Sequence, residues 1–178
     1  MTDDRAIFEI HIRGAIEDVW DQITKTHEPQ ETFFNMYMDT PGSALEVGKP
    51  MRMLTKSRKY AGAIGEVVAF DPPNRFAHTF KFTHLDDPEC TVIYELTEVE
   101  GGVDFKMILE NLPVGTKTAK QMRQGGTMIL NTLKAMVERG RPSLGTRALF
   151  TLFRAIEFTT PKSSRVEEWP LERVEDVQ

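Results

Sequence analysis

The sequence predicts an α+β fold in which a curved antiparallel sheet wraps one long helix near the C-terminus, and three observations carry that reading. Between Met51 and Leu112, five segments of strand length follow one another with little between them: MRMLTKSRK, AGAIGEVVAF, RFAHTFKFTH, CTVIYELTEV and VDFKMILENL. Their separators centre on Tyr60 to Gly62, Asp71 to Asn74, Leu85 to Pro88 and Gly101 with Gly102. Connections this short join antiparallel neighbours, because a parallel crossover needs about a dozen residues or more. Second, Thr116 to Arg139 lacks proline and sets Ala119, Met122, Gly126, Ile129, Leu133 and Met136 along one helical face. Third, an alternating segment at the N-terminus runs directly into a short amphipathic one.

In chain order, IFEIHIR (Ile7 to Arg13) puts Phe8, Ile10 and Ile12 on one side and Glu9, His11 and Arg13 on the other, the pattern of a half-buried strand. After Gly14, Ile16, Val19, Trp20 and Ile23 recur at helical spacing, with Glu17, Asp18 and Asp21 opposite. Proline is well tolerated in a first helical turn, so Pro29 predicts a second short helix carrying Phe33, Phe34 and Tyr37. These aromatics need something to cover, the end of the sheet or the mouth of a cavity. Between Thr40 and Pro50, prolines and glycines leave room for a very short strand at Leu45 to Val47.

The connection Asp71-Pro72-Pro73-Asn74 is rigid, since each proline fixes its own φ and restricts its predecessor to extended geometry. The stretch from Thr116 to Arg139 makes about six or seven turns. Gly140 and Pro142 supply its stop signal. Within it, Gly125 and Gly126 each weaken the helix by about 1 kcal/mol relative to alanine. The missing side chains imply close approach to a strand, a bend, or space for a ligand. These elements make one domain over residues 1–140. Residues 141–178 read as an appended short helix, with Leu149, Leu152, Phe153 and Ile156 as its apolar face, and a polar tail that is mostly exposed.

Composition narrows the function. With 22 basic against 27 acidic residues and a net charge of −5, the chain has no overall basic field for nucleic acid. Hydrophobic residues at 40% and charged ones at 28% are those of a folded globular chain. A single cysteine, Cys90, excludes an intrachain disulfide and fits a reducing compartment. The acidic N-terminus does not resemble a secretory signal, and no run of about 18 apolar residues offers a membrane span. A cytoplasmic location is expected. His11, His27, His78 and His84 lack metal-ligand spacing, and no nucleophile elbow, phosphate loop or dinucleotide fingerprint occurs. No metal, cofactor or catalytic group is therefore expected.

The order strand, two short helices, strand meander and long helix is the helix-grip arrangement. The runs IRGAIEDVWDQIT (Ile12 to Thr24), GEVVAFDPPNRFAHTF (Gly65 to Phe80) and GGTMILNTLKAMVERG (Gly125 to Gly140) resemble signature stretches of the START-like, or SRPBCC, superfamily. The branch they resemble most is the homologues of the activator of the heat-shock protein 90 ATPase. Where many relatives have a Gly-Trp pair opening the last helix, this chain has Gly126 followed by Thr127, so a bulky lid residue is absent. The resemblance implies a deep cavity between sheet and helix that holds an apolar small molecule.

Strand alternation independently supplies lining for such a cavity. Phe76, His78, Phe80 and Phe82 share one face, Val92, Tyr94 and Leu96 another, and Phe105, Met107 and Leu109 a third. The candidate ligand-binding residues are His78, Tyr94, Phe80, Phe82, Met53, Met107, Met122, Gly126 and Phe34. An apolar, methionine-rich interior with two polar handles suits a small-molecule site. Binding or carriage of an apolar small molecule is the leading expectation. A cyclase or hydratase using His78 or Tyr94 as acid or base is the first alternative. A chaperone-interaction or homodimerisation module working through Gly145 to Phe158 is the second.

Overall fold

The computed structural model describes residues 4–171. Seven strands run β1 (Ala6–Ile12), β2 (Tyr37–Asp39), β3 (Pro50–Leu54), β4 (Ala61–Asp71), β5 (Arg75–Phe82), β6 (Cys90–Val99) and β7 (Gly102–Glu110). They form one sheet in the order β1-β7-β6-β5-β4-β3-β2, antiparallel throughout. The helices are α1 (Ile16–Thr24), α2 (Lys117–Arg139) and α3 (Leu144–Ala155). The curved sheet holds α2, which is the predicted helix-grip architecture.

The meander follows the sequence closely because each strand ends where a turn residue makes extension costly. β6 spans CTVIYELTEV and stops at Gly101 and Gly102, both at positive φ (85° and 153°). The first strand returns to pair with the last, Ala6 opposite Leu109 and Ile12 opposite Val103, so the alternation of Phe8, Ile10 and Ile12 is read against β7. On β4 the register shifts between Val67 and Ala69, a bulge of the kind that bends a strand. Gly65, just before it, lies so close to β5 that a Cβ would overlap the carbonyl of Thr79.

Caps define α2 at both ends. The Thr116 hydroxyl accepts a hydrogen bond from the Ala119 N–H at 3.3 Å. Gly140, left-handed at φ 69°, donates its N–H to the Met136 carbonyl at 2.9 Å. Leu133, Phe105, Phe76, Val19 and Ile12 are at most 1% exposed and form the centre of the core between α1, α2 and the sheet. A leucine buried this completely contributes about 1.5–3 kcal/mol.

Two local expectations are corrected. The segment at Leu45 to Val47 is not a strand; Leu45 is buried in a loop and Val47 is 63% exposed. The short strand lies earlier, at Tyr37–Asp39, where Met38 can enter the core while its neighbours pair with β3. Nor does Pro29 open a helix. Only a three-residue 3-10 turn, Glu31–Phe33, forms, because Phe34 and Asn35 adopt left-handed φ of 57° and 61° and reverse the chain.

Beyond Gly140 the chain wraps back over the sheet. No residue of α3 is buried. The segment after it is largely exposed as predicted, yet it is tied to the sheet. The Arg52 guanidinium donates to the carbonyls of Val166 (3.2 Å) and Trp169 (2.7 Å), and the Val166 N–H donates to the Lys59 carbonyl at 3.0 Å. Ser164 is buried with its hydroxyl 2.9 Å from that of Thr83. Residues 172–178 of the predicted tail lie outside the described residues.

Candidate functional site

The concave face of the sheet, α2 and the C-terminal wrap enclose a cavity of about 710 Å³. That volume lies in the range of small-molecule sites, about 300–1,000 Å³. Its floor comes from side chains that alternation turns inward. On β5, His78 stands opposite Val92 of β6, flanked by Phe76 and Phe80. Phe76 is fully buried beneath the cavity, stacked on Tyr94 at 5.6 Å and next to Phe70 at 5.9 Å. Phe80 and Phe82 meet edge to face at 4.8 Å and continue the wall outward.

His78 and Tyr94 are 2% and 3% exposed, and their chemistry follows from their partners. Nδ1 of His78 lies 2.8 Å from the Thr79 carbonyl oxygen, which can only accept, so Nδ1 carries the proton. Burial pushes the imidazole pKa down to about 4, against a weaker upward pull from that carbonyl, so the ring is neutral near pH 7. Its Nε2 is then a lone-pair acceptor, 3.3 Å from the Tyr94 hydroxyl, which donates to it. Burial raises the phenol pKa as well, so Tyr94 keeps its proton. The two polar handles satisfy each other.

Methionines supply the pliable part of the wall. Met53 from β3, Met107 from β7 and Met122 from α2 all face the cavity, and unbranched thioethers adapt to irregular shapes. Phe34, presented by its left-handed backbone, lines the mouth 6.4 Å from the ring of Phe153 on α3. Eight of the nine sequence-predicted positions therefore border one cavity. Gly126 does not. It is buried against β1, where a Cβ would overlap the ring of Phe8, and the neighbouring Gly125 borders the cavity instead. The paired glycines thus do two different things: Gly126 lets α2 approach β1, and Gly125 leaves room beside Phe34.

The outer wall was not foreseen. Phe150, Phe153 and Ile156 close the cavity from the C-terminal wrap, with Arg154 and Glu157 at its rim opposite Lys56 of the β3–β4 connection. The Ser57 hydroxyl and the Thr55 hydroxyl, the latter at 3.2 Å, donate to Glu157 and fasten the wrap to that connection. The sequence signal was the apolar stretch Leu149 to Ile156, whose destination only the folded chain reveals. Among the described residues, no group of three or more His, Cys, Asp or Glu side chains is placed to hold a metal ion. No described helix is long and apolar enough to cross a membrane.

Comparison with known proteins agrees with this architecture. PFC0360w, an HSP90 activator from Plasmodium falciparum, superposes with a TM-score of 0.60 at 18% identity, covering 78% of this chain and 97% of its own. The Aha1 dimer protein of Colwellia psychrerythraea gives 0.61 at 15% identity, covering 79% and 98%. CalU16 from Micromonospora echinospora gives 0.60 at 14% identity, covering 85% and 87%. At these identities the likeness is one of fold. No curated protein matches the chain. The sequence model of one family, described as Activator of Hsp90 ATPase homolog 1-like protein, matches residues 13–138, from the end of the first strand to the last turn of α2. The chain belongs to that family, of the START-like superfamily.

Proposed function

We propose that the protein binds or carries a small, largely apolar molecule in the cavity without transforming it. One observation supports this most: among the described residues, the titratable side chains buried deepest in the cavity, His78 and Tyr94, are spent on each other and on the Thr79 carbonyl. A general base works best with a pKa near the operating pH. A buried imidazole near 4, beside a phenol that holds its proton, is poorly placed for the cyclase or hydratase alternative. What remains is an apolar, adaptable container of ligand size.

The test is binding of a neutral fluorescent probe, N-phenyl-1-naphthylamine, to the full chain and to plugged variants. Ala63→Leu and, independently, Val92→Phe add volume from the cavity wall and should weaken binding at least about tenfold while circular dichroism stays unchanged. Probe binding unaffected by both plugs, or absent from the wild type, defeats the reading.

A second reading, self-association through the wrap, has its own support. Leu144 and Phe158 are each 80% exposed and Leu152 54%, an apolar stripe turned away from the cavity. One fold relative is described as a dimer. Light scattering across a concentration series, with Leu152→Glu as the disrupting variant, decides it; a monomer at all concentrations removes it.

A further inference from the structure

The cavity has a direction. At its inner end Val92, Tyr94 and Met107 are at most 3% exposed, while Lys56 and Arg154 at its rim are exposed. Its deeply buried polar side chains, His78 and Tyr94, are bonded to each other and to the Thr79 carbonyl. A hydrogen-bonding group on the deeply buried part of a ligand would leave water to face side chains already bonded to each other.

The rim is different. Its charged residues are Lys56, Arg154 and Glu157, two cations and one anion in a chain whose net charge is −5. Neither Lys56 nor Arg154 has a carboxylate partner among the described residues, whereas Glu157 already accepts hydrogen bonds from Ser57 and Thr55. The pKa of His84, also at the rim, is lowered by burial and by the Lys117 charge. A planar guanidinium and an ammonium facing one opening match a carboxylate or similar acidic group.

We propose that the ligand is an anionic amphiphile, its apolar tail directed toward Met107 and Val92 and its acidic head held at the rim by Arg154 and Lys56. This rests on the container reading above and adds polarity and orientation to it. No covalent step is involved.

Three amphiphiles of equal chain length but different heads, dodecanoate, dodecanol and dodecylamine, test it by displacing N-phenyl-1-naphthylamine from the full chain above neutral pH. Dodecanoate should displace the probe at roughly 5- to 10-fold lower concentration than dodecanol, the effect of one or two partly exposed ion pairs, with dodecylamine weakest. In the exposed double variant Lys56→Glu/Arg154→Glu the order of dodecanoate and dodecylamine, each measured relative to dodecanol in the same variant, should invert. Dodecanol equal to or tighter than dodecanoate in the wild type, or an unaltered order in the double variant, overturns the head-group assignment and leaves the container intact. If the probe and all three amphiphiles fail to bind, the container reading falls and this one with it.

Discussion

The body of the molecule, residues 6–140, and the wrap, residues 141–171, are held together by different physics. In the body, side chains such as Phe76, Leu133 and Val19 are wholly removed from water. In the wrap no residue of α3 is buried, and attachment falls to the Arg52 guanidinium, the Glu157 carboxylate, the buried Ser164 hydroxyl against Thr83 and a few backbone hydrogen bonds. The family match stops at residue 138, so the wrap lies outside it. The contrast teaches that the fold and the shape of the cavity mouth are separable properties of this chain.

Substitutions sort by that division. The largest effect belongs to the body: Phe76→Ala should destabilise by about 3–5 kcal/mol in urea unfolding, the loss for a large aromatic at full burial. Next comes acid. His78 has an ordinary pKa of 6.5 and a folded value of about 4, so between those values the unfolded chain binds a proton that the folded chain refuses. Stability is full above pH 6.5 and falls by about 3 kcal/mol as pH drops toward 4. In His78→Gln the unfolding free energy should be flatter through that window; an unchanged slope would assign acid sensitivity elsewhere.

The glycine pair gives a smaller and more discriminating contrast. Gly126→Ala should cost about 1–3 kcal/mol by overpacking Phe8, while Gly125→Ala, whose Cβ would sit 3.6 Å from Phe34, should gain up to about 1 kcal/mol of helix propensity. Equal shifts in melting temperature would contradict the placement of the two glycines. The smallest global effect is expected from the wrap. Arg52→Ala removes two charge-assisted bonds to the Val166 and Trp169 carbonyls. Such bonds contribute about 1.5–3 kcal/mol locally, so hydrogen exchange at the Val166 amide should speed up at least about tenfold. Core amides on β6 should keep their protection; if they lose it too, the two regions are one cooperative unit.

Most of the body was legible in the sequence because its signals are local. Period-two alternation bounded by Gly101, Gly102 and Pro88 marked the strands, and Thr116 with Gly140 marked both ends of α2. The inward set around His78 and Tyr94 followed from the same alternation. Features set by distant contacts were not legible. Asn35 is a type that tolerates left-handed backbone, but Phe34 gives no such signal, so the segment reads as a helix where a reversal occurs. Adjacent glycines on a helix point about 100° apart, and only the position of β1 decides which of them is crowded. The wrap showed its apolar residues but not their target, because the stripe Phe150, Phe153, Arg154, Glu157 acquires meaning only beside a cavity built by other strands.

The pairing of β1 with β7 has a consequence for how the protein is made. Ala6 finds Leu109 and Ile12 finds Val103 only after nearly the whole meander has been synthesised. Until then Phe8, Ile10 and Ile12 have no partner strand, and α2, which rests on β1, has not yet been translated. An emerging chain of this topology presents an unpaired apolar edge for several seconds at about 5–20 residues per second, and its folding is late and concerted. Protection of that first strand on the ribosome is therefore a demand that the architecture places on the cell, whatever the cavity holds.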